Sequence, residues 1–274
     1  MGLRIATNVS SIAAQRVLGV QQKRAEHAAQ ALASGSRIIN AADDAAGLAI
    51  SENMKSELRG ITQARNNASN AVSAIQVGEG SLSEISNILT RVRELGVQAA
   101  SDTVGEQERK YLDQEAKSLV SELDRIAKTT KFGNRHLIDG TSSSFEFQVG
   151  TTKDENNIIS FDNEANATAS ELGVDGISIA SKEDARDVLK SVDDAFAKVN
   201  GMRATFGAMQ SRLQSTVTNL DVQNENLSAA KSRISDADVA KETAEMASAT
   251  ILQNAAVSVL AQANQFPSVA LKLV

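Results

Sequence analysis

The side chains able to do acid–base or metal chemistry are few and scattered in this 274-residue chain. Its only two histidines, His27 and His136, stand far apart, and no HExxH, GxGxxG, GxSxG or GxxxxGK motif occurs. Each histidine therefore reads as a surface or interface residue rather than a ligand. The adjacent acids Asp43 and Asp44 cannot face one another on a helix, so capping and dipole interactions are their expected work. The run Thr141-Ser142-Ser143-Ser144 offers hydroxyls to sugars, although Ser and Thr at such a place are ordinarily loop material. Arg91, Arg93 and Glu94 form a charged stretch which, on periodicity alone, is a solvated helix face. The chain has no cysteine, which excludes a disulfide scaffold, thiol catalysis and Cys-based zinc sites. No catalytic residue, metal site or cofactor is predicted, and the chain reads as a structural protein rather than an enzyme.

Composition says what kind of scaffold would hold these residues. Hydrophobic residues make up 42% of the chain but aromatics only 3%, with no Trp and a single Tyr, Tyr111. Ala, Ser and Asn supply much of the bulk, which suits thin helix-on-helix packing more than one thick core. Pro267 is the only proline, so nothing before it removes a backbone donor from a helix. The net charge of −6 comes without a basic block, so nucleic acid is not an expected partner. No apolar run approaches the ~20 residues of a membrane span, and a soluble chain is expected. The start, Met1-Gly2-Leu3-Arg4-Ile5-Ala6, lacks a continuous apolar segment with a small-residue cleavage site, so export, if any, is expected by a route without a cleavable signal.

Periodicity then divides the chain. A sparse series at Ile5, Val9, Ile12, Val17 and Val20 predicts a moderately amphipathic first helix, interrupted by Ser34-Gly35-Ser36. Asn40 to Asp44 offers N-capping side chains for the next helix, and a hinge is expected there, closing a segment 1–45. From Met54 a heptad-like stripe runs through Leu58, Ile61, Arg65, Ala68, Val72, Ile75, Glu79, Leu82, Ile85, Leu89 and Val92. A helix over about 46–100 would be on the order of 80 Å long, a rod rather than an ordinary globular helix. Gly105 marks a turn, and Leu112, Ala116, Leu119, Leu123 and Ile126 predict a helix folded back on the first. Phe145, Phe147 and Val149 alternate as a strand, 154–157 is turn material, and Ile158 to Phe161 begins a returning strand. A second long rod is predicted from Val188 to Leu227. Ser235-Asp236-Ala237-Asp238 reads as an N-cap with an acidic first turn, opening a last segment, 235–274, with an Ala-rich helix running towards Asn264. The fold class is thus mostly α, with long antiparallel helical rods and a small β-hairpin insert at about 131–180 within a rod domain of 46–234. The plan is nearly palindromic, and its two ends can lie together.

At the hinge, Ser34-Gly35-Ser36-Arg37-Ile38-Ile39-Asn40-Ala41-Ala42-Asp43-Asp44-Ala45-Ala46-Gly47-Leu48-Ala49-Ile50 resembles the signature of bacterial flagellins. The resemblance extends to Ile5-Ala6-Thr7-Asn8, to Arg91-Val92-Arg93-Glu94-Leu95, and to Ser232-Arg233-Ile234-Ser235-Asp236-Ala237-Asp238 with Ile251-Leu252-Gln253 and Ser258-Val259-Leu260-Ala261-Gln262-Ala263-Asn264-Gln265. It covers roughly 1–140 and 182–274. Ile39 and Ala42 stand where the family often has a small polar residue and a lysine. The resemblance implies a flagellar filament subunit with core and inner domains only and a plain filament surface. It implies export by the flagellar type III apparatus and polymerisation at the distal tip under a cap protein. The implied partners are other copies of the chain, an export chaperone, and the cap and hook-filament junction proteins; the implied location is secreted, in the extracellular filament. A hook-filament junction protein is the alternative, although Asp43-Asp44-Ala45-Ala46-Gly47 favours flagellin, since junction proteins more often resemble Ser-Asp-Asp-Pro there. An enzymatic flagellin is disfavoured by the short insert without HExxH, and an adhesive role could coexist with filament building.

If the ends assemble, Ile5, Val9, Ile12, Ile251, Leu252, Val259, Leu260, Leu271 and Leu273 are the expected polymerisation residues. The apolar closing run from Phe266 to Val274 needs a partner to bury it. Arg91-Val92-Arg93-Glu94-Leu95 resembles the site on flagellins read by Toll-like receptor 5, with Arg91, Leu95 and Glu115 at the matching positions and Gly96 replacing the usual alanine. The arms also differ in charge. Arg4, Arg16, Lys23, Arg24 and Arg37 outnumber Glu26 in residues 1–40, while Asp236, Asp238, Glu242 and Glu245 outnumber Lys241 and Lys272 in residues 235–274. Mutual recognition of the arms by charge is expected.

Overall fold

The computed structural model describes residues 7–142 and 144–271. In chain order it forms α1 (Val9–Ser34), α2 (Ala45–Ala99), α3 (Glu106–Thr129), β1 (Lys131–Phe132), β2 (Arg135–His136), β3 (Ser144–Gln148), β4 (Ile158–Asp162), α4 (Ala169–Leu172), α5 (Lys182–Ser235) and α6 (Val239–Leu271). The fold is mostly α with a small antiparallel β element, as the periodicities predict. Two compact units emerge, one of Met1–Ser56 with Asn226–Val274 and the other Glu57–Glu225.

The unit Glu57–Glu225 holds the large side chains. On α2, the predicted stripe is the buried face: Ile61, Ala68, Ile75, Leu82, Ile85, Leu89 and Val92 are all buried. Its two polar interruptions are contacts with α5. Arg65 Nε lies 2.6 Å from Asp221 Oδ1, and Arg203 Nη2 lies 3.5 Å from Glu79 Oε1. Further along, Arg93 meets Asp193 at 2.9 Å and Lys182 meets Asp102 at 2.7 Å, so α2 and α5 run antiparallel with the pairing advancing on one as it retreats on the other. From α5, Val188, Val192, Val199, Phe206 and Leu213 fill the same core. The α3 helix returns along α2: Arg109 Nε donates to the Ala99 carbonyl at 2.8 Å, and Thr130 Oγ1 donates to Ser81 Oγ at 3.0 Å.

The predicted hairpin is β3 paired antiparallel with β4, with Phe145 opposite Phe161 and Phe147 opposite Ile159. Phe161 meets Phe206 edge-on at 5.4 Å, and the Arg135 guanidinium stands 4.4 Å over the Phe145 ring. The scarce aromatics are thus concentrated where the sheet packs on helices. A second hairpin, β1 with β2, was not predicted; two residues per strand leave no alternation to read.

In the unit that contains both chain ends, α1 and α6 pack antiparallel. Asn8 caps α1 by accepting from Ser11 N at 3.1 Å, and its Nδ2 donates to the Ala263 carbonyl at 2.8 Å. At the other end of α1, Gly35 adopts φ 69°, and an isolated bridge joins Ser36 to Asp236. Arg37 N donates to the Ser235 carbonyl and Ala237 N to the Gly35 carbonyl, at 2.8 and 2.9 Å. Asp44 is the cap of α2, accepting from Gly47 N at 2.8 Å, while Asp43 accepts from Ile39 N and Asn40 N at 3.1 and 2.9 Å. These hydrogen bonds, from Asn40 first, hold the Asp43 carboxyl below its ordinary range.

Two expectations for the last helix need correction. Its cap is Asp238, which accepts from Ala240 N and Lys241 N, whereas Ser235 ends α5 with its hydroxyl donating to the Lys231 carbonyl. The helix also runs past Asn264 and through Pro267 to Leu271.

Candidate functional site

An α-helix can bury only one stripe against a single partner, so which residues take that stripe decides what remains outside. On α1, Ser11, Ala14, Leu18, Gln21, Ala25, Ala28 and Leu32 recur at alternating spacings of three and four and are buried or half-buried. On α6, Met246, Ala249, Gln253, Ala256, Leu260 and Ala263 do the same. The seam is therefore built largely of alanine, which lets two backbones approach closely but removes little apolar area from water. Leu18, Leu32 and Leu260 share the seam, but the described valines and isoleucines of both helices point elsewhere. Val9 is 64% exposed, Ile12 58%, Ile251 67% and Val259 56%, and Leu252, Val17, Val20 and Val257 are also exposed.

Of the expected polymerisation residues, Val9, Ile12, Ile251, Leu252 and Val259 are thus exposed on this helix pair. Leu260 is half-buried in the seam. Leu271 belongs to the last turn of α6, while Ile5, Leu273 and all the side chains of the apolar closing run lie outside the described residues. Among the described residues, no ion pair joins α1 to α6.

The second site is on α2 and α3. Arg91 Nη2 and Nε donate to Glu115 Oε1 at 2.8 and 3.0 Å, and its Nη1 donates to Glu94 Oε2 at 3.0 Å. The bond to Glu115, then that to Glu94, raises the Arg91 pKa, and all three side chains are about half exposed. Leu95 does not share this surface. It is 0% exposed, packed in the core beneath the patch, so of the three matching positions it alone presents no surface to a partner: on its turn of helix the inward position must be apolar. Gly96 is buried as well, with α5 beside it. Sequence reasoning missed Glu94 as the second partner of Arg91, although its i,i+3 spacing signals the pair. His27 Nδ1 stands 3.8 Å from Asp43 and His136 Nδ1 3.4 Å from Asp139. Among the described residues, no group of three or more His, Asp or Glu side chains converges as a metal site.

These two helical halves match known proteins. The family model for the bacterial flagellin N-terminal helical region matches residues 5–143, and that for the bacterial flagellin C-terminal helical region matches 189–274. The chain belongs to the bacterial flagellin family. It is 40% identical to a flagellin of Halalkalibacterium halodurans over 97% of each chain. It is 38% identical to the flagellar filament 33 kDa core protein of Treponema phagedenis, over 94% of this chain and 95% of that one. The crystal structure of Bacillus cereus flagellin superposes with a TM-score of 0.51 at 30% identity, covering 61% of this chain and 94% of that chain. Flagellins are structural proteins of the extracellular flagellar filament, and nothing in these relationships favours a junction protein. No described helix is long and apolar enough to cross a membrane.

Proposed function

We propose that this flagellin-family chain polymerises into the flagellar filament through the outward apolar faces of α1 and α6, and that the alanine seam between them exists to free those faces. The observation that carries this is the sorting of side chains: a seam made largely of alanine inside the pair, Val9, Ile12, Ile251 and Val259 outside at more than half exposure. Leaving branched aliphatics in water forgoes ~25 cal/mol per Å² of apolar surface, a loss that a second copy packed on the same face would recover. The residues then act in concert in a filament in which every subunit repeats the same contact. On this reading the ends 1–45 and 235–274 are the assembling segments and 46–234 the surrounding layer. The chain reaches the growing tip through the type III apparatus with an export chaperone, adds beneath the cap, and begins on the junction proteins of the hook.

The test is polymerisation of Ile12→Asp and Ile251→Asp chains, read by sedimentation and electron microscopy. Each should remain in the supernatant at concentrations where the parent forms filaments, with thermal unfolding of Glu57–Glu225 unchanged. Filaments formed at the parent's critical concentration would refute the assignment.

A second reading rests on the Arg91 patch. An exposed guanidinium held in place by two carboxylates is a preorganised polar surface, and Arg is enriched among binding hot spots. It supports recognition of the monomer by Toll-like receptor 5 through Arg91 and Glu115, with Leu95 fixing the helix turn from beneath.

A further inference from the structure

The structure leaves the charges of α1 and α6 unspent, and we infer that they are used between copies: the basic face of α1 in one subunit docks on the acidic start of α6 in another. This rests on the reading that α1 and α6 are the assembling surfaces.

Three observations carry it. Within Glu57–Glu225, neighbouring helices are stitched by ion pairs, Arg65 to Asp221, Arg93 to Asp193 and Arg91 to Glu115. Across α1 and α6 there is none among the described residues, although Arg16, Lys23, Arg24 and Glu245 are all exposed and Glu242 half-exposed. The register explains why. Asn8 against Ala263 and Ser36 against Asp236 fix the antiparallel alignment, so Arg16 and Lys23 lie alongside the part of α6 beyond Glu245, and residues 246–271 contain no Asp, Glu, Lys or Arg. The acids Glu242 and Glu245 lie instead alongside the later turns of α1. Arg16 is thus offset along the axis from the acids within one chain, Lys23 and Arg24 stand within about a turn of Glu245 without an ion pair to it, and a second copy displaced along that axis brings the charges together. The uncharged run beside Arg16 leaves no acid on α6 to compete for it, whereas Lys23 and Arg24 have Glu26 close by on their own helix.

Charge supplies what the apolar faces lack. Apolar contact is non-directional, whereas a basic segment meeting an acidic one fixes polarity and stagger and penalises like-charge alignments. Each exposed pair is weak, but the contact recurs at every subunit.

The experiment uses two full-length reversed chains. One carries Arg16→Glu, Lys23→Glu and Arg24→Glu, the other Glu242→Lys and Glu245→Lys; all the new residues favour helix, and circular dichroism checks that helix content is kept. Each alone should need roughly tenfold more protein to polymerise at low salt, with the difference shrinking as salt screens the contact. An equimolar mixture should polymerise near the parent's critical concentration, with both chains in every filament, because each reversed surface then meets a complementary one on the other chain. Pairing within a chain cannot be rescued by mixing, so a mixture no better than its components overturns the inference. If both reversed chains assemble like the parent at low salt while Ile251→Asp still fails, the charge inference falls and the apolar reading stands. If Ile251→Asp assembles, the underlying reading falls first.

Discussion

The ring of Phe206 occupies the space that a side chain at Gly78 would need: a Cβ there would stand 2.4 Å from Phe206 Cε1. A glycine in mid-helix ordinarily costs ~1 kcal/mol relative to alanine, so its presence on a buried face of α2 marks a fit rather than a defect. Gly78→Ala should destabilise Glu57–Glu225 by about 1–3 kcal/mol through overpacking against a buried ring. Gly80, two residues on, has nothing within 4 Å of its virtual Cβ. Gly80→Ala should therefore stabilise by about 0.5–1 kcal/mol. Urea denaturation of the two variants should move in opposite directions; movement in the same direction would show that the Phe206 contact does not set the sign.

The two units should also differ in local stability. Glu57–Glu225 buries Leu, Ile, Val and Phe side chains, whereas the described α1–α6 seam buries mainly alanine. Amide exchange in the monomer should accordingly be fast along α1 and α6 and slow along the buried stripes of α2, α3 and α5. Limited proteolysis should trim both ends and leave a resistant core, and polymerisation should slow exchange in the ends. Equal protection of the ends in monomer and filament would contradict this.

Asp113 gives the core unit a defined acid response. Its Oδ1 accepts from Ser178 Oγ and Ile179 N at 2.9 and 2.8 Å, and its Oδ2 accepts from Lys117 Nζ at 2.6 Å. Burial pushes the carboxyl up, but the hydrogen bonds from Lys117, Ile179 and Ser178 together outweigh it, and the net shift is downward. A depressed folded pKa means that this stabilisation is fully present above the unfolded value of about 3.9 and is lost as the pH falls through the folded one. Asp113→Asn keeps an acceptor for Ile179 but turns an amide towards Lys117, and should cost about 1–3 kcal/mol at pH 7. The gap between parent and variant should narrow below about pH 4, as seen in denaturation at a series of pH values. A gap independent of pH would assign the cost to packing rather than ionisation.

Where large apolar residues recur at helical spacing, the sequence is legible. The stripe from Ile61 to Val92 is the buried face of α2, and even its polar members, Arg65 and Glu79, prove to be partners of α5. The β3–β4 hairpin is legible for the same reason, since Phe145 and Phe161 alternate with polar residues. The terminal helices resist reading because apolar residues surround them. With alanine and branched aliphatics on every side of α6, sequence alone does not say that Ala249, Ala256 and Ala263 go inside while Ile251 and Val259 stay out. The α6 cap fails similarly: Ser235 and Asp238 are both good N-caps, and the structure uses Asp238, with Ser235 still inside α5.

A surface role and a supporting one can be separated at the Arg91 patch. Arg91 and Glu115 are about half exposed, and exposed ion pairs of this kind are worth ~0–1 kcal/mol, so Arg91→Ala should leave the fold essentially as stable as the parent. Leu95 is wholly buried, and Leu95→Ala should cost about 2–5 kcal/mol by removing transfer energy and opening a cavity. If Toll-like receptor 5 reads this surface, Arg91→Ala monomer should lose stimulation at unchanged melting temperature. Leu95→Ala should lose it in step with unfolding and regain it at temperatures where the variant is folded. Glu94→Gln provides the control, because it removes one of the two carboxylate charges beside the guanidinium while keeping the bond to Glu115; it should change stimulation less than Arg91→Ala does. Parent-like stimulation by Arg91→Ala would remove the patch from the recognition surface, and loss of stimulation by fully folded Leu95→Ala would show that the helix turn must open before it is read.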